Sequence, residues 1–353
     1  MTAGWVEAVA VRGASLAAAL TVGAVMLVAT GHNPARAYGE MVVGAFGTAY
    51  GMEQTLVRAI PLILTGLGVS LGFTMGLWNI GAEGQLAVGA LLASWLALSF
   101  PDLPRVVMLP GLVALGLAGG AGWALLPAVL RAWVGVSEIM STLMLNYVAL
   151  LWVDYLVFGA WADPTAFSFP YSRRFSESAT LPALAGDVHM GLVFAVAAAA
   201  ALAMLLDRTR WGYEVRAIGA RLPAARYAGM PVRRNILVVM AASGALAGLA
   251  GMGEVTGVIH RIQQGLSPGY GFTAIIIAWV AQLHPWAVVG VAVLFAALLN
   301  GGFVIQTMGV PAAIAAMLQA LILGFVLASE HLLRRVRRRR AVAATRATLA
   351  GGS

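Results

Sequence analysis

The chain has 353 residues, of which 61% are hydrophobic and only 10% are charged. A soluble domain carries about a quarter charged residues, and hydrocarbon excludes both charged side chains and unpaired backbone. The composition therefore excludes an ordinary soluble domain and predicts an all-helical integral membrane protein.

The basic residues are 22 arginines against 14 acids, which gives a net charge of +8. Such an excess also occurs in nucleic-acid-binding proteins. Here, however, seven arginines lie in 207–234 and seven more in 334–346, next to hydrophobic stretches. This placement is typical of cytoplasmic loops, so we expect membrane lipid and no nucleic acid as a partner. The absence of cysteine excludes disulfides and thiolate metal sites.

Hydrophobic stretches predict ten crossings, since about 20 apolar residues span a membrane. They lie at 13–30, 56–77, 85–100, 106–130, 138–158, 188–206, 235–257, 272–283, 286–303 and 311–331. The first resembles a signal peptide but lacks a persuasive cleavage site, so we predict a retained helix. An even number of crossings must separate the loop 207–234 from the basic tail 334–353 if both are cytoplasmic, and the full count then places both termini in the cytoplasm. The chain 1–353 is interpreted as a single transmembrane domain.

Two pairs of neighbouring spans are separated only by short polar interruptions. Asn79 and Glu83 lie in the interruption near 78–85, and His284 lies in the one near 282–286. Both segments also contain a Gly-Phe-Thr tripeptide and a later Val-Gly pair. Broken helices in each half are typical of transporters built from two repeats. Two five-helix repeats are one interpretation, and shared glycine-rich composition is the other.

Two extramembrane stretches are long enough to have roles of their own. The outer segment 159–187 either meets an external partner or is a plain connector. In the basic loop, Pro223 suits the first turn of a helix, the alanines that follow favour its continuation, and Gly229 before Pro231 ends it. We predict a short, stiff cytoplasmic helix there. It either fits a groove on a partner or is a positively charged loop that happens to be helical.

The run RAIGARLPAARYAGM at 216–230 resembles the cytoplasmic coupling loop of permease subunits in the ABC importer group that serves branched-chain amino acids, simple sugars and nucleosides. The run LWNIGAEGQLAVGAL at 77–91 resembles a second signature of this group, in the acidic version of its nucleoside branch, whose binding proteins are BMP-type lipoproteins. The runs at 135–150 and 271–302 are also similar to that branch. Trp78, Ala278-Trp279 and Gln282-Leu283-His284 depart from the branch pattern.

The resemblance implies a permease pair, usually of two paralogous subunits, in the bacterial plasma (inner) membrane. Its partners would be two cytoplasmic ATP-binding subunits, which use the ATP, and an external substrate-binding lipoprotein. This chain would bind no cofactor, and because it has no lysine it cannot contain a P-loop. The residues implied in ATPase coupling are Arg216, Gly219, Pro223, Ala224, Ala225, Tyr227, Ala228 and Gly229.

Polar residues inside predicted spans are candidates for a substrate path, because they are costly in lipid. The candidates are Asn79, Glu83, Gln85, Thr142 and Asn146. The alternative is that those around 78–85 satisfy the backbone freed by the break. Glu138, Thr142 and Asn146 share one side of a helix by their spacing. Glu138 either faces the bundle interior with them or lies at the interface beside Arg131.

The histidines are scattered and no nucleophile has a paired base, so we expect no metal site, no catalytic residue and no enzyme. The resemblance implies that this chain is the transmembrane pore subunit of an ATP-driven importer of nucleosides or related purine compounds, which works by alternating access. An ABC permease for simple sugars such as ribose is one alternative. The other is an ion-coupled secondary transporter, which requires a paired ionisable relay and has only Glu83 as a plausible member.

Overall fold

The computed structural model describes residues 2–167, 169–322, 324–325 and 328–329, and nearly all regular structure in them is helical. The helices are α1 Thr2–Ala29, α2 Pro34–Val42, α3 Ala49–Thr74, α4 Ala82–Ser99, α5 Arg105–Val129, α6 Glu138–Phe158, α7 Gly191–Arg208, α8 Arg210–Ala220, α9 Leu222–Tyr227, α10 Val232–Glu254, α11 Tyr270–Val280, α12 Pro285–Thr307 and α13 Ala312–Ile322. Short π-helical turns extend α2, α5 and α10, at Val43–Gly47, Leu130–Val134 and Val255–Ile259.

Among the described residues, seven helical segments are long and apolar enough to cross a membrane: α3, α4, α6, α7, α12 and the combined stretches Arg105–Val134 and Val232–Ile259. Three shorter apolar helices lie at Gly13–Ala29, in α11 and in α13. These ten segments match the predicted stretches in order, so the prediction of an all-helical membrane protein with about ten spans is confirmed. The predicted tail 334–353 lies outside the described residues.

The chain forms two compact units, one from its two ends, up to Gly51 and from Ala297, and one from Met52–Ala296. The core of the first unit includes Leu27, Met41 and Leu318. It contains α2, which the sequence analysis did not predict. This helix is too short to span, but Asn33 caps it by accepting a hydrogen bond from the Arg36 backbone at 3.2 Å.

Close helix packing organises the second unit. The helices α4, α5 and α10 meet through glycines, because a Cβ on Gly120 would overlap the Gly244 carbonyl and one on Gly89 would overlap the Gly248 backbone. Small residues allow this approach of helix backbones. The candidate site lies at the break between α3 and α4, next to this helix packing.

Both interruptions of the helices are present. The first is residues 75–81, somewhat earlier than the sequence suggested, because Gly76 adopts a left-handed conformation (φ 78°) and ends α3. The Leu77 N–H donates to the Gly72 carbonyl at 2.9 Å, which is the hydrogen bond of a Schellman motif. The second is residues 281–284, where Gln282 takes the left-handed conformation instead of a glycine. Glu83 and Gln85, predicted inside the first break, lie in the first turn of α4.

The helix α11 has 11 residues, so it extends about 16 Å, roughly half of a hydrocarbon core. It is therefore too short to span alone. The two Gly-Phe-Thr tripeptides differ in position, because Gly72 lies in the last turn of α3 and Gly271 in the first turn of α11. The tripeptides thus give no support to an internal repeat, which stays a prediction.

The basic loop contains two helices where one was predicted. The unexpected helix is α8, whose start is capped by the Thr209 hydroxyl, which accepts a hydrogen bond from Gly212 N at 3.1 Å. Helix α9 is the predicted one, with Pro223 in its first turn, and Gly229 follows it in the left-handed conformation (φ 73°).

The segment 159–187 packs against the end of α10 and includes the strand β1 Ala183–Ala185, which pairs with β2 Val188–His189. Ser172 N donates to the Ile262 carbonyl at 2.9 Å, and Leu181 N donates to the Thr256 carbonyl at 3.0 Å. The segment is therefore attached along its length to the helix end beneath it.

Candidate functional site

A buried polar cluster fills the space beside the first helix break. Asn79 Nδ2 donates to Gln85 Oε1 and to Ser243 Oγ, both at 2.8 Å, and Asn79 Oδ1 accepts from Gln85 Nε2 at 2.9 Å. Ser243 Oγ in turn donates to the Gly68 carbonyl at 2.7 Å. Because each of these side chains is buried, the cluster ties the break to α3, α4 and α10.

Asn146 joins the break to α6. Its Nδ2 donates to the Ile80 carbonyl and its Oδ1 accepts from Gly84 N, each at 2.8 Å. Thr142, one turn earlier, donates to the backbone of its own helix and packs on Gly81, where an added Cβ would lie 2.9 Å from the Thr142 Cβ. Both residues therefore face the break, as their spacing predicted.

Glu83 holds the second broken segment. Its Oε2 accepts a hydrogen bond from Gly271 N at 2.7 Å, and its carboxylate also interacts with the Ser267 hydroxyl and the Gly269 backbone. These residues form the start of α11. A carboxylate at a helix N-terminus meets unsatisfied N–H groups and the positive end of the helix dipole. Glu83 thus satisfies backbone at the start of the other discontinuous segment.

Glu138 lies at the end of α6 nearest the basic loop. Its carboxylate lies 3.2 Å from Arg131 Nε and accepts a hydrogen bond from Trp78 N at 3.4 Å. The neighbourhood of Arg131 was predicted, but Glu138 is only 6% exposed. Glu138 is therefore buried on the same side of α6 as Thr142 and Asn146 and at the same time lies beside Arg131, so the two alternatives do not exclude each other.

The basic loop 207–234 touches the break directly. A Cβ on Gly219, near the end of α8, would overlap the carbonyl of Thr74 and lie 3.0 Å from the backbone of Met75. Arg216, one turn earlier, pairs with Asp207 at 3.2 Å. The end of α8 is thereby fixed between the end of α7 and the beginning of the break, and only a residue without a side chain fits at Gly219.

Most of the small residues of α9 face outward. Pro223, Ala224 and Ala228 are exposed, and Tyr227 is 97% exposed. Ala225 is only 3% exposed and packs inward. All of the predicted coupling residues except Ala225 are therefore exposed. Four of them, in α9 and directly after it, are here called the α9 face (Pro223, Ala224, Tyr227 and Ala228).

An aromatic cluster at the break was not predicted. The ring centroids of Trp78 and Trp279 lie 5.8 Å apart, and each packs against Phe73, at 4.9 Å and 5.5 Å. Trp78 and Trp279 are two of the positions at which the sequence departs from the nucleoside-branch pattern. The two departures thus lie in contact with each other.

On the side of segment 159–187, His189 precedes α7 and is 3% exposed. Its Nδ1 accepts a hydrogen bond from Gly191 N at 3.1 Å, which requires an unprotonated nitrogen. Burial, with the nearby charge of His260 as a smaller cause, lowers the pKa of His189 to about 4. In the part of the chain that the structure describes, no three acidic or histidine residues are placed to hold a metal ion.

The helices are broken at two places. The half-length helix α11 leads into the break at 281–284, and the basic loop packs on the break at 75–81. This arrangement defines a membrane transport subunit. More particularly, the chain belongs to the family described as the permease component of the branched-chain amino acid transport system, which its residues 51–328 match. ABC permeases of this kind work with ATPase subunits and a substrate-binding protein. Relatives for which a role is given are permeases and not enzymes.

Three relatives show the range of the family. Over 326 residues the chain is 43% identical to the glucose ABC transporter permease protein of Haloferax volcanii, across 89% of this chain and 85% of that protein. It is 34% identical to the guanosine ABC transporter permease protein of Bacillus subtilis (88% and 90% covered). It is 31% identical to the nucleoside ABC transporter permease protein of Lactococcus lactis (86% of each).

Proposed function

We propose that this chain and a second, paralogous permease subunit form the path by which a nucleoside or related purine compound crosses the bacterial plasma membrane. ATP is hydrolysed by the partner subunits, and this chain binds no cofactor. The contact between Gly219 and the start of the break, at Thr74 and Met75, carries the mechanism. It joins a segment on the membrane surface to a broken helix inside.

In this mechanism the α9 face enters a groove of the ATPase. Movement of the ATPase shifts α8, whose end lies against the residues that begin the break. Because α8 and the break are in contact through their backbones, a displacement of α8 also displaces the residues of the break. Alternating access then follows from movement at the break, as in other transporters with discontinuous helices.

The five predicted path residues serve this movement as positioning residues. Asn79, Gln85, Thr142 and Asn146 hold the first break, and Glu83 joins it to the start of α11. Their polar atoms are engaged within the protein, so their first role is to shape the wall of the path. Substrate contact would require that these hydrogen bonds rearrange during the transport cycle.

The α9 face is tested by truncation of Tyr227, which is almost fully exposed. In proteoliposomes that contain the assembled transporter, Tyr227→Ala should lower the stimulation of ATPase activity by loaded binding protein on the order of tenfold. Tyr213→Ala, which removes another exposed tyrosine of the same loop, is the matched control. Equal stimulation in both variants would refute docking through this face. Ala225 is unsuitable for this test, because a larger side chain there would disturb the loop itself.

The nucleoside proposal rests on the acidic run LWNIGAEGQ at 77–85 and on the guanosine and nucleoside permeases among the relatives. A simple sugar is the second candidate, because the relative named for glucose transport is 43% identical. Uptake of labelled guanosine and labelled glucose by the same reconstituted transporter separates the two. Saturable uptake of glucose that excess guanosine leaves unchanged would reject the nucleoside. Dependence on ATP, with no effect of collapsing the ion gradient, would reject ion-coupled transport.

A further inference from the structure

A cleft on the side of the basic loop carries unpaired positive charge. It encloses about 630 Å³ between the turn after α5, the first break, and helices α8, α9 and α10. Three arginines line it, one from each of three separate elements: Arg131 after α5, Arg226 in α9 and Arg233 in α10. Residues distant in sequence thus bring guanidinium groups to one opening.

Only one of these charges is compensated. Arg131 pairs with Glu138 at 3.2 Å. Within the described residues, neither Arg226 nor Arg233 forms an ion pair, and both are exposed. The two acids of the basic loop are engaged elsewhere, Asp207 with Arg216 and Glu214 with Arg210. The cleft therefore presents two free guanidinium groups to a ligand, in addition to the paired one.

The surface beside the cleft is apolar. Trp133 and Val134, which line the cleft, are 54% and 69% exposed, and Met140 at the start of α6 is 58% exposed. Exposed apolar residues next to a tryptophan and arginines are typical of the level where lipid headgroups meet hydrocarbon. Exposure of these apolar side chains to water would be unfavourable. Acyl chains would cover them.

We propose that the cleft binds the phosphate-bearing headgroup of an anionic phospholipid, whose acyl chains lie along the exposed residues of α5 and α6. Arginine is suited to phosphate because its planar fork donates two parallel hydrogen bonds, and basic pockets at helix ends bind anionic headgroups in membrane proteins. A lipid held by Arg226 and Arg233 would join α9 to α10 beside the break. The position of the coupling segment would thereby depend on lipid composition.

The site is tested by native mass spectrometry of the full-length, delipidated chain with phosphatidylglycerol, phosphatidylcholine or inorganic phosphate. Arg233→Gln should bind phosphatidylglycerol about fivefold more weakly, and the double variant Arg226→Gln, Arg233→Gln on the order of 25-fold more weakly. Arg208→Gln, which removes an exposed arginine outside the cleft, is the matched control and should bind normally. Arg233→Lys should retain most of the binding, because lysine also binds phosphate as a point charge.

Equal binding of phosphatidylglycerol by the double variant and the Arg208→Gln control would overturn the proposal. So would equal binding of phosphatidylcholine, or displacement of the lipid by millimolar inorganic phosphate, which would assign the cleft to a soluble anion. Retained binding by Arg233→Lys distinguishes the loss of charge from a loss of folding. Because the isolated chain is used, the result does not depend on docking of an ATPase.

Discussion

Glu83 is a buried carboxylate that stabilises a helix other than its own. It lies in the first turn of α4, yet it accepts the hydrogen bond of Gly271 N in α11. Glu83→Gln keeps the size of the side chain, but it places an amide donor among backbone donors. The unfolding free energy should fall by about 1.5–3 kcal/mol, the contribution of a hydrogen bond to a charged group.

The measurement is thermal unfolding of the purified chain in detergent, where Glu83→Gln should lower the midpoint by several degrees. Glu177→Gln removes an exposed carboxylate in the segment 159–187 and should leave the midpoint unchanged. If both variants have the same unfolding midpoint as the wild type, the carboxylate of Glu83 does not stabilise the start of α11.

His189 gives the protein a pH dependence that its sequence does not reveal. Its pKa of about 4 in the folded protein is below the ordinary value of 6.5, so the unfolded chain binds the proton more readily. Stability is therefore fully present above pH 6.5 and is lost as the pH falls toward 4, by about 3 kcal/mol in total. The wild-type melting midpoint should fall across this range, and His189→Gln should flatten that part of the profile.

In that variant the glutamine carbonyl can still accept the hydrogen bond of Gly191 N, which keeps the local structure. His32→Gln is the control, and it should melt with the pH profile of the wild type. An unchanged profile in His189→Gln would assign the acid sensitivity to other groups.

At the residue scale, the sequence identified which polar side chains gather at the break but not what they bind. The periodicity of α6 placed Thr142 and Asn146 on one side, and that prediction is confirmed. The contact of Glu83 with Gly271 joins residues 188 positions apart, and no local pattern contains this distance. The contact between Trp78 and Trp279 could not be predicted either, because these residues are also far apart in sequence. The sequence showed only that both depart from one family pattern.

At the scale of elements, hydropathy predicted the spans well, because the membrane imposes one length on them. It missed α2 and α8, which are too short or too polar to be recognised in that way. Their starts are set by capping side chains, Asn33 and Thr209. The exact positions of the breaks depend on where the helices end. Gly76 takes the left-handed conformation after α3, and Gln282 takes it after α11.

The packing of α5 on α10 makes a prediction at this scale. A Cβ at Gly248 would overlap the Gly116 carbonyl and lie 2.8 Å from Gly120 Cα. Gly248→Ala should therefore force the helices apart and lower stability by about 1–3 kcal/mol. Gly122→Ala on α5 is the control, since its Cβ would meet nothing within 4 Å. Both variants change helix propensity in the same way, so a difference between their thermal unfolding midpoints reports on close packing. Similar midpoints would refute a packing role for Gly248.

At the scale of the whole molecule, the count of crossings depends on the half-length helix α11. Its start contacts Glu83 at the beginning of α4, and its Trp279 lies with Phe73 and Trp78 near the end of α3. The preceding residues 260–269 leave the end of α10 beside segment 159–187. The stretch 260–280 therefore leads from the end of α10 to the first break, and only about half of it is helical. An even number of crossings between the basic loop and the tail stays a prediction.

The topology predicted from the charge distribution places segment 159–187 outside the cell and the basic loop in the cytoplasm. Because the chain has no cysteine, single cysteines can be labelled without background. Ala185→Cys in β1 and Ala220→Cys at the end of α8 are both exposed. In intact cells a membrane-impermeant maleimide should label Ala185→Cys only, and Ala220→Cys should react only after the membrane is permeabilised. Labelling of Ala220→Cys in intact cells would invert the topology and remove the α9 face from the side where ATP is hydrolysed.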